Sequence, residues 1–274
     1  RQMNHLNTVL LCNDMSLNRL GMELNGGKSH QEDDLVALAS LKYEYELSKS
    51  EGYINTTDIP SFDGSENITG SGPSLEEIIR RSPISRTEFV RLWRAAGGCE
   101  IEGQAVILTK PLITEVLHSI LTMMAAEGID YYAKIDKNTL VALMVEKDPL
   151  QKSPVVSAVL DKFLAESLEL NHESIGTWFG IQALSKNEGT SSKESFLLGW
   201  KSSLPSFYNV PIGVEQLRGY YYCTGAGQMR YFDRLMLMGR DLGSRMKEIF
   251  SLSWQWEWED LLHFISDVVP PGNK

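Results

Sequence analysis

Three kinds of chemistry can be tested against this sequence first: phosphate cradling, metal or nucleophile chemistry, and capture of an anionic partner by clustered cations. The stretch GMELNGGKSH, residues 21–30, ends in Gly-Gly-Lys-Ser. A phosphate loop needs a glycine, four residues, then Gly-Lys and Ser or Thr. Only that spacing lets successive backbone N–H groups wrap one phosphate while the lysine reaches the next. Here five residues, Met22 to Gly26, separate Gly21 from Gly27-Lys28-Ser29. The cradle is a backbone geometry, so one extra residue breaks it. The segment after Ser29, with QEDDLVALAS at residues 31–40, reads as acid then strand, not as the helix that such a loop opens. Asn25 to Lys28 therefore reads as a turn between strands.

The other candidates thin out in the same way. Gly225-Ala-Gly227 lacks the third glycine and the helix of a dinucleotide loop, and reads as a hairpin tip. The five histidines, His5, His30, His118, His172 and His263, have no partners at metal-ligand spacing. Cys12, Cys99 and Cys223 are odd in number and far apart, without CxxC, which suits a reducing compartment. That context discounts the sequons at Asn55 and Asn67. No GxSxG occurs. No catalytic residues, metal or cofactor are expected.

The basic residues remain. The whole chain carries a net charge of −10, so any nucleic-acid contact must come from a local patch. From Gly180 to Lys247, nine Lys/Arg stand against five Asp/Glu. The candidate phosphate contacts are Lys186, Lys193, Lys201, Arg218, Arg230, Arg234, Arg245 and Lys247. Such contacts position a protein without reading sequence. The alternative is an ordinary solvated face. A second cluster holds Arg80, Arg81, Arg86, Arg91 and Arg94. It suits DNA, an acidic protein surface, or simple pairing with Glu76, Glu77 and Glu88 along the helices. The Trp254, Trp256, Trp258 alternation reads as packing at a helix start.

The elements that must position these residues are legible from caps and periods. The chain has 274 residues, 42% of them hydrophobic, enough for two or more cores. No apolar run reaches the length of a membrane span, because Glu115 and His118 break the longest. Ser74-Leu-Glu-Glu77 is a capping box behind Pro73, and Ser85-Arg-Thr-Glu88 is a second. The second opens a helix whose Phe89, Leu92, Trp93 and Ala96 share a face and which Gly97-Gly98 ends. Cys99 to Leu108 alternates around Glu102-Gly103 as a hairpin. Pro111 then starts another helix. Helix, turn, helix, hairpin is the order of a winged helix.

The order returns. Lys137 to Leu170 holds two helical segments, the second opened by Ser153-Pro154. WFGIQALSK (178–186) is helical, and Ser191-Ser-Lys-Glu194 reads as a third capping box. GVEQLRG is a short helix, and YYYCTGAGQMRYF folds as two β arms. A third module begins with helices over 245–252 and 256–269.

Residues 1–72 differ. TVLLC and LVALASL read as strands, followed by a Gly/Ser/Thr/Asn-rich linker from Tyr53 to Pro73. This segment carries 5 Lys/Arg against 11 Asp/Glu. So few strands leave open edges, which ask either for a partner chain or for a fold-back on the rest of the protein. Val9, Leu10, Leu11, Leu35, Val36 and Leu38 are the candidate interface residues. The chain opens on Arg1 without Met, so it is expected to be a fragment or a core.

WFGIQALSK, FLLGWKSSLP and QLRGYYY, in this order and spacing, resemble the C-terminal half of the "defective in sister chromatid cohesion protein 1" family. RMKEIFSLSWQWEWEDL and GGCEIEGQAVIL are similar to its last and first winged helices. The resemblance spans nearly the whole chain. Met15-Ser-Leu-Asn18 departs from the Lys-Thr-Tyr-type run of that family, and the last helix with its basic tail is absent. The resemblance implies a non-catalytic, nuclear accessory subunit of an alternative clamp loader. Its N-terminal strands would build a shared β-barrel with a small subunit and the C-terminal tail of the large ATPase subunit. The first module, through the arginine cluster, would dock on the catalytic subunit of DNA polymerase epsilon. Later modules would contact DNA without strong sequence preference.

The fold class expected is α+β. Residues 1–72 supply barrel strands and linker, and 73–135 a first winged helix. Residues 136–235 supply linker helices and a second winged helix, and 240–274 the truncated start of a third. A free-standing tandem winged-helix DNA-binding protein is the alternative.

Overall fold

The computed structural model describes residues 53–65, 72–186, 191–239 and 241–269. The chain divides into two compact units, the first ending at Leu108 and the second beginning at Thr109.

In the first unit, α1 (Leu75–Arg81) starts where the sequence places it. Ser74 Oγ accepts from Glu77 N–H, and Glu77 Oε2 accepts from Ser74 N–H at 2.8 Å, a complete capping box. Such a cap contributes about 1 kcal/mol. α2 (Arg86–Ala96) has only half of its box. Ser85 Oγ accepts from Glu88 N–H, but the Glu88 carboxylate turns to Arg91 Nη2 at 2.6 Å. Phe89 and Trp93 point inward as expected, whereas Ala96 is exposed. Gly97, at φ 76°, ends the helix in the left-handed region.

The chain then enters β2 (Gly98–Ile101), turns at Glu102 and Gly103, both at positive φ, and returns as β3 (Gln104–Leu108). Two positive φ values at the centre define a turn whose twist matches the strands. The register pairs Gly98 with Ile107 and Ile101 with Gln104. Gly98 is required here, because a Cβ would lie 2.1 Å from the Trp93 ring.

One strand went unseen in the sequence. β1 (Ser61–Phe62) runs parallel to β3, giving the sheet order β1-β3-β2. The stretch read as a linker thus contributes Phe62 to the interior, and Ile54 and Ile59 pack against Ile78, Phe89, Trp93 and Ala105.

The second unit opens with α3 (Lys110–Ala126). Its buried Ile113, Val116, Leu117, Ile120, Leu121 and Met124 form one helical stripe. The stripe packs on α5 (Ser153–Phe163), reached through α4 (Lys137–Lys147). The sequence had grouped α3 with the first winged helix, but its core lies with the helices C-terminal to it.

α6 (His172–Lys186) and α7 (Lys193–Ser203) pack next. A Cβ on Gly180 would lie 2.5 Å from the Trp200 ring, so the glycine admits that fully buried indole. Trp200 Nε1 donates to Gly176 O at 3.0 Å. The cap of α7 is Ser192, which accepts from Ser195 N–H, rather than the Ser191–Glu194 box read from the sequence. Ser191 instead bridges to Met229.

The expected short helix is one 3-10 turn, Val214–Leu217. β4 (Tyr221–Cys223) and β5 (Met229–Tyr231) come after it as an antiparallel hairpin. α8 (Leu242–Leu252) and α9 (Trp258–Ile265) enclose a core of Ile249, Leu261, Phe264 and Ile265. The architecture is mixed and mainly helical. No closed barrel occurs among the described residues, and the strands expected to form one lie outside them.

Candidate nucleic-acid and partner surfaces

The cations proposed for phosphate contact do not share one role. Lys186 ends α6, Lys193 begins α7 and Lys201 stands in its last turn, all three exposed. Arg230 on β5, Arg234 and Lys247 on α8 are exposed too. Arg234 lies just past the hairpin, and its Cδ would lie 3.4 Å from a Cβ built on Gly219.

Arg245 is different. It is 6% exposed. Its Nε donates to Gly239 O at 2.9 Å and its Nη1 to Phe264 O at 2.9 Å. Nη1 and Nη2 also reach the Asp267 carboxylate, at 3.2 and 3.1 Å. The guanidinium holds the ends of α8 and α9 together, so it does not face a phosphate. Arg218 is likewise engaged. Its Nε donates to Asp260 Oδ1 at 3.1 Å, and the same oxygen accepts from Tyr221 O–H at 3.1 Å. Burial, then the Asp260 charge, push the Tyr221 hydroxyl pKa up.

The hairpin is not a free arm. Tyr221 and Tyr222 are buried, and Tyr220 is half-buried. Tyr222 meets Phe232 edge to face at 6.3 Å and lies 6.0 Å from the Trp256 ring. Trp256 in turn meets Phe264 at 5.2 Å. Packing at a helix start thus holds for Trp256 alone. Trp254 and Trp258 are 74% and 61% exposed. The Trp254 indole rests against Gly225 at the hairpin tip, where a Cβ would lie 2.7 Å from Nε1.

In the first unit the arginines also divide. Arg81 Nη2 donates to Thr57 O at 2.6 Å and Asn55 O at 3.3 Å, so it fastens the chain before β1. Arg86 pairs with Glu76 at 2.7 Å and Arg91 with Glu88 at 2.6 Å. The exposed Arg80 and Arg94 complete the set. Surface pairs of this kind contribute well under about 1 kcal/mol each.

Cys99 is buried, and burial pushes its thiol up to about 12. His118 is exposed on α3, with Nδ1 3.4 Å from Thr122 Oγ1. His172 Nδ1 lies 2.5 Å from the Tyr208 hydroxyl, while Tyr132 lies over its ring. Among the described residues no three His, Cys, Asp or Glu side chains come together as a metal site. GMELNGGKSH and the interface candidates Val9, Leu10, Leu11, Leu35, Val36 and Leu38 lie outside the described residues.

Each unit thus holds two helices followed by a hairpin, with exposed cations on these elements. Comparison with known proteins gives the particular family. The chain belongs to the family described as "Sister chromatid cohesion protein Dcc1", which matches residues 1–265. It is 28% identical over 302 aligned residues to "Sister chromatid cohesion protein DCC1" of Saccharomyces cerevisiae. That match covers 100% of this chain and 78% of the yeast protein.

Proposed function

We propose that this protein is a non-catalytic accessory subunit of an alternative replication clamp loader, acting in the nucleus in DNA replication and sister chromatid cohesion. The observation that carries the reading is family membership over residues 1–265. In this reading the strands of residues 1–52 complete a β-barrel with the tail of the large ATPase subunit and a small subunit. α1, α2 and β2–β3 form a winged helix that docks on the catalytic subunit of DNA polymerase epsilon through Arg80, Arg86, Arg91 and Arg94. α6, α7 and β4–β5 form a second, and Lys186, Lys193, Lys201, Arg230, Arg234 and Lys247 hold DNA phosphates. Their exposure supports that assignment.

Light scattering on the chain alone, and co-expressed with both barrel partners, tests the reading. A stable three-chain complex is expected. A well-behaved monomer that ignores both partners overturns it and favours the second reading, a free-standing winged-helix DNA-binding protein. The exposed cations of the second unit support that alternative on their own.

A further inference from the structure

The turn between α5 and α6 carries an apolar side chain where the backbone disfavours one. Leu168 stands at φ 67°, in the left-handed region, and is 54% exposed. A bulky residue is strained there, because its Cβ crowds the carbonyl oxygen that follows, and glycine would relax it. The other non-glycine residues at positive φ among the described ones, Asp58 and Glu102, are polar.

Backbone bonds hold the turn in place. Leu168 N–H donates to Ala165 O at 3.0 Å, Ala165 N–H to Glu169 O at 2.9 Å, and Asn171 N–H to Phe163 O at 2.8 Å. Leu168 O accepts from Ile135 N–H at 2.8 Å, which ties the turn to the segment before α4. None of these bonds needs a leucine side chain. On the same segment Tyr132 is 65% exposed. Its N–H donates to Asp130 Oδ1 at 2.9 Å, and its ring lies 4.4 Å from that of His172. Backbone strain and exposed apolar surface both lower stability, and such features gather where a surface is used.

We propose that Leu168 and Tyr132 form a docking surface for a basic amphipathic segment of another protein. The charge around the turn selects that partner. Glu166 and Glu173 are exposed and Glu169 is half-exposed. None of the three joins an ion pair among the described residues. Beside Tyr132, the exposed Asp130 and Lys134 cancel in charge, so the surface is acidic. Lysines or arginines flanking an apolar stripe meet these carboxylates while the stripe covers Leu168 and Tyr132. The fixed backbone of the turn leaves little to order on docking. The surface uses none of the cations assigned to DNA, so it stands or falls independently of that assignment.

The test is fluorescence anisotropy of a labelled synthetic amphipathic helix of leucine and lysine, titrated with the full chain. Two control peptides replace the lysines with glutamates or the leucines with serines. The leucine–lysine peptide should bind, and both controls should bind at least about tenfold more weakly. Leu168→Gly and Tyr132→Ser should each weaken binding about tenfold. Leu168→Gly should also melt no lower than the parent, because glycine relieves the strain. Binding unchanged by Leu168→Gly, equal binding of the control peptides, or a lower melting temperature for that variant overturns the proposal. Self-association of the chain that Leu168→Gly abolishes assigns the surface to a second copy and overturns it too.

Discussion

Asp260 and Arg218 stand 42 residues apart and meet at 3.1 Å, with the Tyr221 hydroxyl on the same carboxylate oxygen. Asp260 belongs to α9 and is 6% exposed. The pair therefore fastens the third module to the chain that leads into the hairpin. Asp260→Ala leaves a half-buried guanidinium and a buried hydroxyl without their acceptor. A loss of about 2–4 kcal/mol is expected in urea unfolding. A loss below 0.5 kcal/mol, on the order of an ordinary surface substitution, would show that the contact is dispensable.

Two glycines in neighbouring helices should respond in opposite directions. Gly180→Ala drives a Cβ into Trp200, at 2.5 Å, and should cost about 1–3 kcal/mol. Gly199→Ala, on the exposed side of α7, meets nothing within 4 Å and should gain up to about 1 kcal/mol. Thermal melts of both variants decide the matter, and two changes of the same sign would contradict the packing described.

Stability should fall as the medium is acidified through the histidine range. Burial lowers the pKa of His172 below its ordinary value, and a hydrogen bond involving the Tyr131 backbone offsets part of that drop. The unfolded chain then binds the proton first. Stability contributed by neutral His172 is present above about pH 6.5 and is lost as pH drops toward the lowered value. Replacing it, as His172→Gln, should flatten the curve of unfolding free energy against pH below about 6.5. An unchanged slope would assign that dependence to other groups.

Charge reversal at Arg230 and Arg234 should weaken duplex DNA binding about equally across sequences. It should also reduce the dependence of affinity on salt. Fluorescence anisotropy at several salt concentrations reads both effects. Unchanged affinity at low salt would remove these two residues from the surface. Arg245 is the wrong residue for this test, because its loss unties α8 from α9 and lowers stability instead.

The two free thiols of the described residues, Cys99 and Cys223, should differ toward an alkylating reagent. Cys99 is raised to about 12 by burial, whereas the nearby Lys193 charge partly opposes the rise at Cys223. Cys223 should be labelled first at pH 8 in the native protein. Equal rates would mean that β2 opens on the labelling timescale.

Much of this was legible in the sequence. The capping serines at 74 and 85, the Glu102-Gly103 turn and the Pro-led helices lie where their chemistry demands. The losses have physical causes. β1 is two residues long, too short for a period, and sits in a stretch rich in Gly, Ser, Thr and Asn. Arg245 and Asp260 were legible in principle. Arg245 lies four residues before Ile249, and Asp260 four before Phe264, so each shares the inward stripe of its helix. Charge outweighed period in reading the first, and acidity among tryptophans hid the second. The tryptophans split because the chain before α9 is irregular, with Trp256 Nε1 bonded back to Ser253 O at 3.0 Å, so alternation did not fix a common face.

The seating of Tyr222 between Phe232 and Trp256 has a mechanical meaning. A hairpin gripped on its aromatic face cannot swing like a hinge. Tyr222, Phe232, Trp256 and Phe264 form one run of ring contacts that couples the hairpin to α9, so the two should open together rather than separately.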